Sequence, residues 1–255
     1  MNPKDEIKIV VVGSGTAIPV KDHSPASILI QAHNFSTLLD LGPGALSKLP
    51  LYNIDILTVE NIFLTHFHPD HSLDLATLFL IFDYNISQLQ NKIFNLTGPT
   101  GIKNFTENFI QLFPDVSIHA ELIHFHEMSE DKINFKGCRV SSILSGHTLN
   151  SISYRMEFDN ATIVYTSDCV YSKKLENFCS NADLLITECS YPEGWVTTDH
   201  LTSKEVGLLA RNANVSQLII THLYQPALEV DIQSQIAKNY SGEIRLALDG
   251  ETIWI

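Results

Sequence analysis

Thr65-His66-Phe67-His68-Pro69-Asp70-His71 is the stretch that organises this chain, with three imidazoles and one carboxylate in six positions directly after the apolar run Ile62-Phe63-Leu64. Neutral imidazole and carboxylate are the side chains that hold a borderline divalent cation such as zinc. Side chains alternate along an extended segment, so His66 and His68 face the same way as the chain leaves a strand. Asp70 and His71 come round the turn, before Ser72 opens the helical pattern Leu73, Leu75, Leu78, Phe79, Phe82. One ion can take the first pair and a second ion the last two, so the stretch reads as half of a two-metal site. A histidine-rich surface loop is the alternative, and partners elsewhere in the chain decide between the two.

At 255 residues the chain suits one α/β domain spanning 1–255. Apolar residues make up 44% and charged residues 18%, which excludes a disordered polypeptide. No run approaches the roughly 20 apolar residues of a bilayer crossing, and Met1-Asn2-Pro3-Lys4-Asp5-Glu6 has no apolar signal core. Cys138, Cys169, Cys179 and Cys189 form no C-x-x-C pair, so neither a disulfide framework nor export is expected, and a cytoplasmic location is. A net charge of −13 argues against tight generic binding to nucleic acid or to an anionic membrane, both of which need cationic side chains.

Strands are expected at Ile7 to Val12, Ser27 to Gln31, Ser36 to Leu41, and Lys92 to Leu96, the last stopped by Gly98-Pro99. Ser117 to Leu144 is mostly β, and further strands follow at Ser151 to Phe158, Thr162 to Thr166, Leu184 to Thr187 and Leu218 to Thr221. Helices are expected from about Ala45, through Phe105, Phe109 and Leu112, and over Ser203 to Asn212. Asp249-Gly250 between two apolar runs is a hairpin signal. Ile62-Phe63-Leu64-Thr65-His66 is echoed by Leu218-Ile219-Ile220-Thr221-His222, as in a fold of two similar halves.

Several of these strands finish with a His, Asp or Glu just past the last apolar position. Val140 to Leu144 leads to Gly146-His147, Ile163 to Thr166 to Asp168, and Leu218 to Thr221 to His222, while Asp40 and Glu188 finish two more. Strands ending this way line one rim with metal-binding side chains on a rigid support.

These segments together resemble the metallo-β-lactamase-fold hydrolases, within them the ribonuclease Z-like branch that includes the cyclic-phosphate phosphodiesterase of phosphonate breakdown. The resemblance runs nearly end to end. It passes through Gly13-Ser14-Gly15-Thr16, Leu38-Leu39-Asp40-Leu41-Gly42, the H-x-H-x-D-H motif, Ser145-Gly146-His147 and Tyr165-Thr166-Ser167-Asp168. It continues through Ala182 to Glu188, Asp199-His200-Leu201-Thr202, Thr221-His222 and Leu248-Asp249-Gly250. The fold it implies is a four-layer αββα sandwich, two mixed β-sheets flanked by helices.

Position by position, the resemblance implies that His66, His68 and His147 hold one ion, that Asp70, His71 and His222 hold the other, and that Asp168 bridges. Zinc suits the ligand types, with manganese a competitor because carboxylates take part. Asp40 and Glu188 belong behind the ligands, orienting histidine N–H groups. In the resembled branch the counterpart of His200 reaches the scissile phosphate as general acid or stabiliser. An exposed loop histidine is the alternative, and Asp199 is a candidate to orient it. A homodimer is a further implication of the resemblance.

Two divalent ions roughly 3.5 to 4 Å apart can share a hydroxide nucleophile and clamp the oxygens of an in-line displacement at phosphorus. No side-chain nucleophile is then needed, and the chain has no G-x-S-x-G elbow. The expected function is hydrolysis of a small cyclic or linear phosphodiester, with His200, Asp70 and Asp168 carrying the catalysis. A tRNA 3′ endonuclease is the alternative. It is disfavoured by the acidic charge and by only 20 residues between His147 and Asp168, where ribonuclease Z carries its tRNA-gripping arm. The phosphonate-pathway enzyme has an early cysteine-rich zinc site, whereas here no cysteine precedes Cys138. Lactone or ester hydrolysis assisted by a loop tyrosine is a third reading, and a metal-stabilised binding module a fourth. Lys21, His23 and Arg155 could meet substrate, whereas the His124–His126 pair reads as a water-exposed strand face and His33 and His119 have no supporting neighbour.

Overall fold

The strand β1 (Lys8–Gly13) carries Ile9, Val10, Val11 and Val12, all fully buried. A strand apolar on both faces needs cover on both, and the computed structural model, which describes residues 6–255, supplies it with a second sheet on one side and helices on the other. Residues 1–5, most of the segment read as lacking a signal core, lie outside the described residues.

The first sheet continues through β2 (Ser27–Ala32), β3 (Phe35–Leu39), β4 (Asn61–Phe63), β5 (Phe94–Pro99) and β6 (Ile123–Met128). The second begins with β7 (Lys132–Phe135), β8 (Cys138–Leu144), β9 (Ile152–Glu157) and β10 (Thr162–Tyr165). It is completed by β11 (Leu184–Glu188), β12 (Gln217–Thr221) and β13 (Glu243–Leu246), while β14 (Thr252–Trp254) returns to the first sheet. The spatial orders are β14-β1-β2-β3-β4-β5-β6 and β13-β12-β11-β10-β9-β8-β7. Each sheet is mixed, with β3 to β6 parallel in one and β10 to β13 parallel in the other.

Alternation sorts the side chains into layers. Ile9, Val11, Ile28, Ile30 and Phe63 meet Tyr154, Met156, Ile163 and Ile186 between the sheets. Val10, Val12, Leu29 and Ile62 point the other way, toward helices α1 (Ala45–Lys48), α2 (Pro69–Ser72), α3 (Leu75–Asn85) and α4 (Ile102–Ile110). On the far side, Val164, Leu185, Leu218 and Ile220 pack on α5 (Lys173–Phe178), α6 (Ser203–Asn212), α7 (Gln225–Leu228) and α8 (Ile232–Ala237). The expected αββα order is the observed one. Helix α6 has the predicted bounds and opens with a capping box, Thr202 with Glu205. None of the helices among the described residues is long and apolar enough to cross a membrane.

Two local expectations differ. Strand β5 runs through Gly98 and Pro99, because the parallel ladder with β6 continues to Pro99↔Met128 and a proline at the end of a strand removes no needed donor. Asp249-Gly250 does not close a hairpin, since β13 lies at the edge of the second sheet and β14 pairs with β1 in the first. The Asp249 carboxylate instead accepts from Ser14 N (2.9 Å), Ser14 Oγ (2.8 Å), Ser24 N (2.8 Å) and Lys48, tying the crossing segment to the loop after β1 and to α1. Helices α5, α7 and α8 have four to six residues, too short for a periodic signal.

Burial disfavours the Asp249 carboxylate, but Lys48 and the Ser24 and Ser14 donors outweigh that and hold it below the usual range. A carboxyl depressed in the folded state contributes stability at neutral pH that is lost as pH falls through its folded value. Asp249→Asn is expected to cost about 1–3 kcal/mol at pH 7, with the difference from wild type shrinking in acid, as measured by urea unfolding across pH.

Candidate metal centre

Beyond β4 the chain bends at Thr65 and is extended at His68, and α2 starts at Pro69. Proline suits the first helical position because it leaves no N–H unpaired there. It sets Asp70 and His71 inside a helical turn, earlier than the start at Ser72 that the pattern suggested. Gly42 lets the loop after β3 close on this turn, since a Cβ there would lie 2.5 Å from the Asp70 carbonyl oxygen.

His66 and His68 do face the same way, with ring centroids 4.7 Å apart. His147 joins them from the loop after β8, its Nε2 3.2 Å from His68 Nδ1. Asp70, His71 and His222 form a second group, with His71 Nε2 3.7 Å and His222 Nε2 3.5 Å from Asp70 Oδ2. Asp168 stands between the groups. Its Oδ2 lies 3.9 Å from His66 Nε2 and 3.6 Å from His147 Nε2, while Oδ1 lies 3.5 Å from His71 Nε2 and 3.4 Å from His222 Nε2.

The far ring nitrogens are already engaged. His66 Nδ1 meets Thr65 Oγ1 (3.0 Å), His71 Nδ1 meets Asp40 Oδ2 (2.8 Å), and His147 Nδ1 donates to the Asp199 carbonyl (2.8 Å). Each therefore turns Nε2 inward. Nε2 of His66, His71 and His222 and Oδ1 of Asp168 are buried with no hydrogen-bond partner. A buried polar atom left unpaired costs about 1–3 kcal/mol. Four of them converging on one region form a donor set that divalent cations satisfy, so these residues fit two metal ions. His66, His68 and His147, and separately Asp70, His71 and His222, hold their ligand atoms within 4.8 Å of one another.

Charge at the site follows the same division. Burial raises the Asp168 carboxyl, but His222 and His71 hold it well below the usual range. Asp70 is drawn down to about 2 against its burial, chiefly by His222. Burial and then His71 push His66 well below the ordinary imidazole range, leaving it a neutral donor.

His200 lies in the loop before α6 and is buried, not exposed. Its Nδ1 sits 3.1 and 3.0 Å from the two oxygens of fully buried Glu188, which also accepts from Cys169 N (2.7 Å) and Ser190. Burial opposes the imidazolium, but Glu188's hydrogen bond and charge overcome it and push the His200 pKa up to about 9. Asp199 does not orient His200, since its carboxylate meets Thr197.

Arg155 is committed elsewhere, donating to the carbonyls of Phe178 and Ser180 and pairing with Glu157. His23 meets Ser14 Oγ (2.7 Å), and Lys21 pairs with Asp22 at the surface. His124 and His126 lie side by side on β6, belong to none of the groups of described residues that could hold a metal ion, and His126 meets Asn95. His119 has partners that sequence reasoning did not see, Asp83 (2.6 Å) and Glu121 (3.4 Å). Sequence reasoning also missed Ser190, whose hydroxyl lies 3.2 Å from His200 Nδ1 and 3.4 Å from His222 Nδ1, and Tyr224, whose ring borders both histidines.

A family model described as "Anti-Pycsar protein Apyc1" matches residues 7–240. The chain belongs to the Apyc1 family. Among curated relatives of this Apyc1-family chain is the "Probable metallo-hydrolase YhfI" of Bacillus subtilis, 24% identical over 96% of this chain and 98% of that one. A ribonuclease Z of Thermoplasma volcanium is 25% identical over 93% and 95%. The crystal structure of YhfI, described as a metallo-β-lactamase fold protein, superposes with a TM-score of 0.86 at 23% identity, covering 98% of this chain and 100% of that one. A diphosphatase of the PhnP family gives 0.70 at 17% identity, with 97% of each chain covered. The fold of this Apyc1-family chain is therefore the metallo-β-lactamase fold.

Chelator-stripped protein resupplied with zinc or manganese at 100 times the dissociation constant is expected to gain about 2.7 kcal/mol of unfolding free energy per site. Asp168→Asn should lose most of that gain and most of the bound metal, read by denaturant unfolding and elemental analysis.

Proposed function

We propose that the chain is a dinuclear-metal phosphodiesterase acting on a small cyclic or linear phosphodiester. It is a metal-dependent hydrolase, built as one domain over residues 1–255, working in the cytoplasm and pairing as a homodimer. One observation carries the reading: the two oxygens of Asp168 are divided between two histidine groups, and the inward nitrogens of His66, His71 and His222 have no hydrogen-bond partner. Membership of the Apyc1 family, one of cyclic nucleotide phosphodiesterases, supports a small substrate, as do relatives named for hydrolysis at phosphorus. The four cysteines are free and buried, in keeping with a reducing compartment.

In this reading His66, His68 and His147 hold one divalent ion, Asp70, His71 and His222 hold the second, and Asp168 reaches both. Zinc follows from the majority of imidazoles, with manganese competing through the carboxylates. When bound, the ions supply Lewis-acid polarisation of a phosphoryl group and acidify water toward neutrality. The remaining work falls to the chain's own groups. Asp40 fixes the ring of His71, and the Asp199 carbonyl fixes that of His147. His200, kept protonated by Glu188, turns its other nitrogen toward Asp168 and His147, with ligand atoms of the three within 4.8 Å. A departing alkoxide needs a proton, and a positioned general acid contributes about 10²- to 10⁴-fold.

The net charge of −13 weighs against a polyanionic tRNA substrate. So does the segment between His147 and Asp168, which is occupied by the paired strands β9 and β10.

Turnover of a chromogenic phosphodiester, a phosphomonoester, a lactone and a precursor tRNA tests the reading. Diester hydrolysis is expected to dominate, to vanish in Asp168→Asn, and to fall by about 10²- to 10⁴-fold in His200→Ala with metal content retained. Lactone turnover that is fastest in wild type and indifferent to His200 would replace this proposal with the esterase reading.

A further inference from the structure

Tyr224 lies two residues past His222. Its ring stands edge-on to His222, with centroids 5.5 Å apart at 88°, and to His200, at 5.6 Å and 70°. Tyr224 stacks on Tyr191 (5.5 Å, 7°), which stacks in turn on Trp195 (5.1 Å, 1°). The three parallel rings form a column whose inner end borders both histidines. Backbone bonds anchor it, from Tyr224 N to Ser190 O (3.3 Å) and from Tyr191 N to Leu201 O (3.2 Å).

The hydroxyls of the buried tyrosines Tyr154, Tyr165 and Tyr240 all find acceptors within the protein. Tyr224 is partly buried, and its hydroxyl has no hydrogen-bond partner among the described residues. Its ring lies against His222 of the second histidine group and against His200, which places the phenol beside the site. A phenol clamped by stacking, beside two site histidines and with no acceptor of its own, has one hydrogen bond to give.

We propose that Tyr224 contacts the substrate, its hydroxyl donating to a non-bridging oxygen of the phosphodiester held between the two histidine groups. This rests on the phosphodiesterase reading above. The donation is directional and preorganised, because the column fixes the ring before substrate arrives. Tyr191 is the positioning residue that keeps the hydroxyl aimed.

Tyr224→Phe preserves the ring and its stacking while deleting the donor. Its kcat/KM for bis(p-nitrophenyl) phosphate is expected to fall about 10- to 100-fold, with metal content and thermal midpoint as in wild type. The second readout is calorimetric binding of inorganic phosphate to the zinc-loaded protein, expected to weaken about tenfold, the size of one lost hydrogen bond. Tyr191→Leu leaves the hydroxyl but removes its brace, and is expected to raise KM more than it lowers kcat. Unchanged phosphate affinity in Tyr224→Phe overturns the proposal, as does a loss of activity matched by a loss of metal or of thermal stability. Phosphate binding separates the two failures. A wild type that binds phosphate through Tyr224 yet hydrolyses no diester refutes the phosphodiesterase reading and leaves the tyrosine contact standing.

Discussion

The Asp168 carboxylate is the constraint on which the rest of this molecule depends. It is almost completely buried, and it offers one oxygen to His66 and His147 and the other to His71 and His222. Burying a carboxylate among imidazoles is costly when the inward nitrogens of three of them, His66, His71 and His222, have no hydrogen-bond partner, about 1–3 kcal/mol for each unpaired atom. Packing alone would not select it. The fold bears this cost because residues around the site are over-determined. Asp40, Ser167 and His222 all take left-handed backbone conformations, with φ of 61°, 52° and 55°, just past the ends of β3, β10 and β12. Non-glycine residues in that region carry strain, and such strain persists where surrounding contacts fix it.

Those contacts cross between the two sheets. Tyr154 of β9 donates to the Leu64 carbonyl (2.7 Å), Ile152 N to the Thr65 carbonyl (2.9 Å), and Tyr165 of β10 to Asp40 (3.0 Å). Thr65 Oγ1 meets Ser167 Oγ (2.8 Å), and His222 N donates to Ser14 O (2.8 Å). Every one joins a ligand-bearing segment of one sheet to a strand or loop of the other. The sandwich therefore does more than bury apolar surface: its register across the inner layer sets the spacing of the two histidine groups. A rigid support of this kind holds ligands more closely than loops alone could.

The part of the site that was legible from sequence was the part carried by strands. His66, His147, Asp168 and His222 each follow an apolar run, and the point at which a buried strand stops can be read from composition. The layers were expected from the resemblance alone, and their physical reason shows in the structure, where strands such as Ile9 to Val12 are buried at every position and need cover on both faces. Contacts made by side chains distant in sequence were legible only through the resemblance, which set Asp40 and Glu188 behind the histidines. Asp249 looked like half of a hairpin because a turn dipeptide reports local backbone preference and is blind to four donors arriving from residues 14, 24 and 48. Asp199 looked like the partner of His200 because it is adjacent, whereas Glu188 is twelve residues away in sequence and in contact in space. Tyr224 gave no signal, since a tyrosine two positions beyond a strand-end histidine is ordinary until its ring is seen against His200 and Tyr191.

Two histidines here have the same partner on one side and differ in what lies on the other. His71 gives Nδ1 to Asp40 and His200 gives Nδ1 to Glu188; against desolvation, Asp168 and then Asp40 raise His71, and Glu188 raises His200. His71 then faces Asp168 and Asp70 at 3.5 and 3.7 Å, fully enclosed, so its second nitrogen can serve only a group held among those carboxylates. His200 has Glu188 as its one carboxylate within ion-pair distance among the described residues, and its free nitrogen borders the rings of His147 and Tyr224. A proton on His71 competes with a cation for the same lone pair. The same kind of carboxylate–imidazole pair thus meets two further carboxylates at the second nitrogen of His71 and, among the described residues, none within ion-pair distance at that of His200.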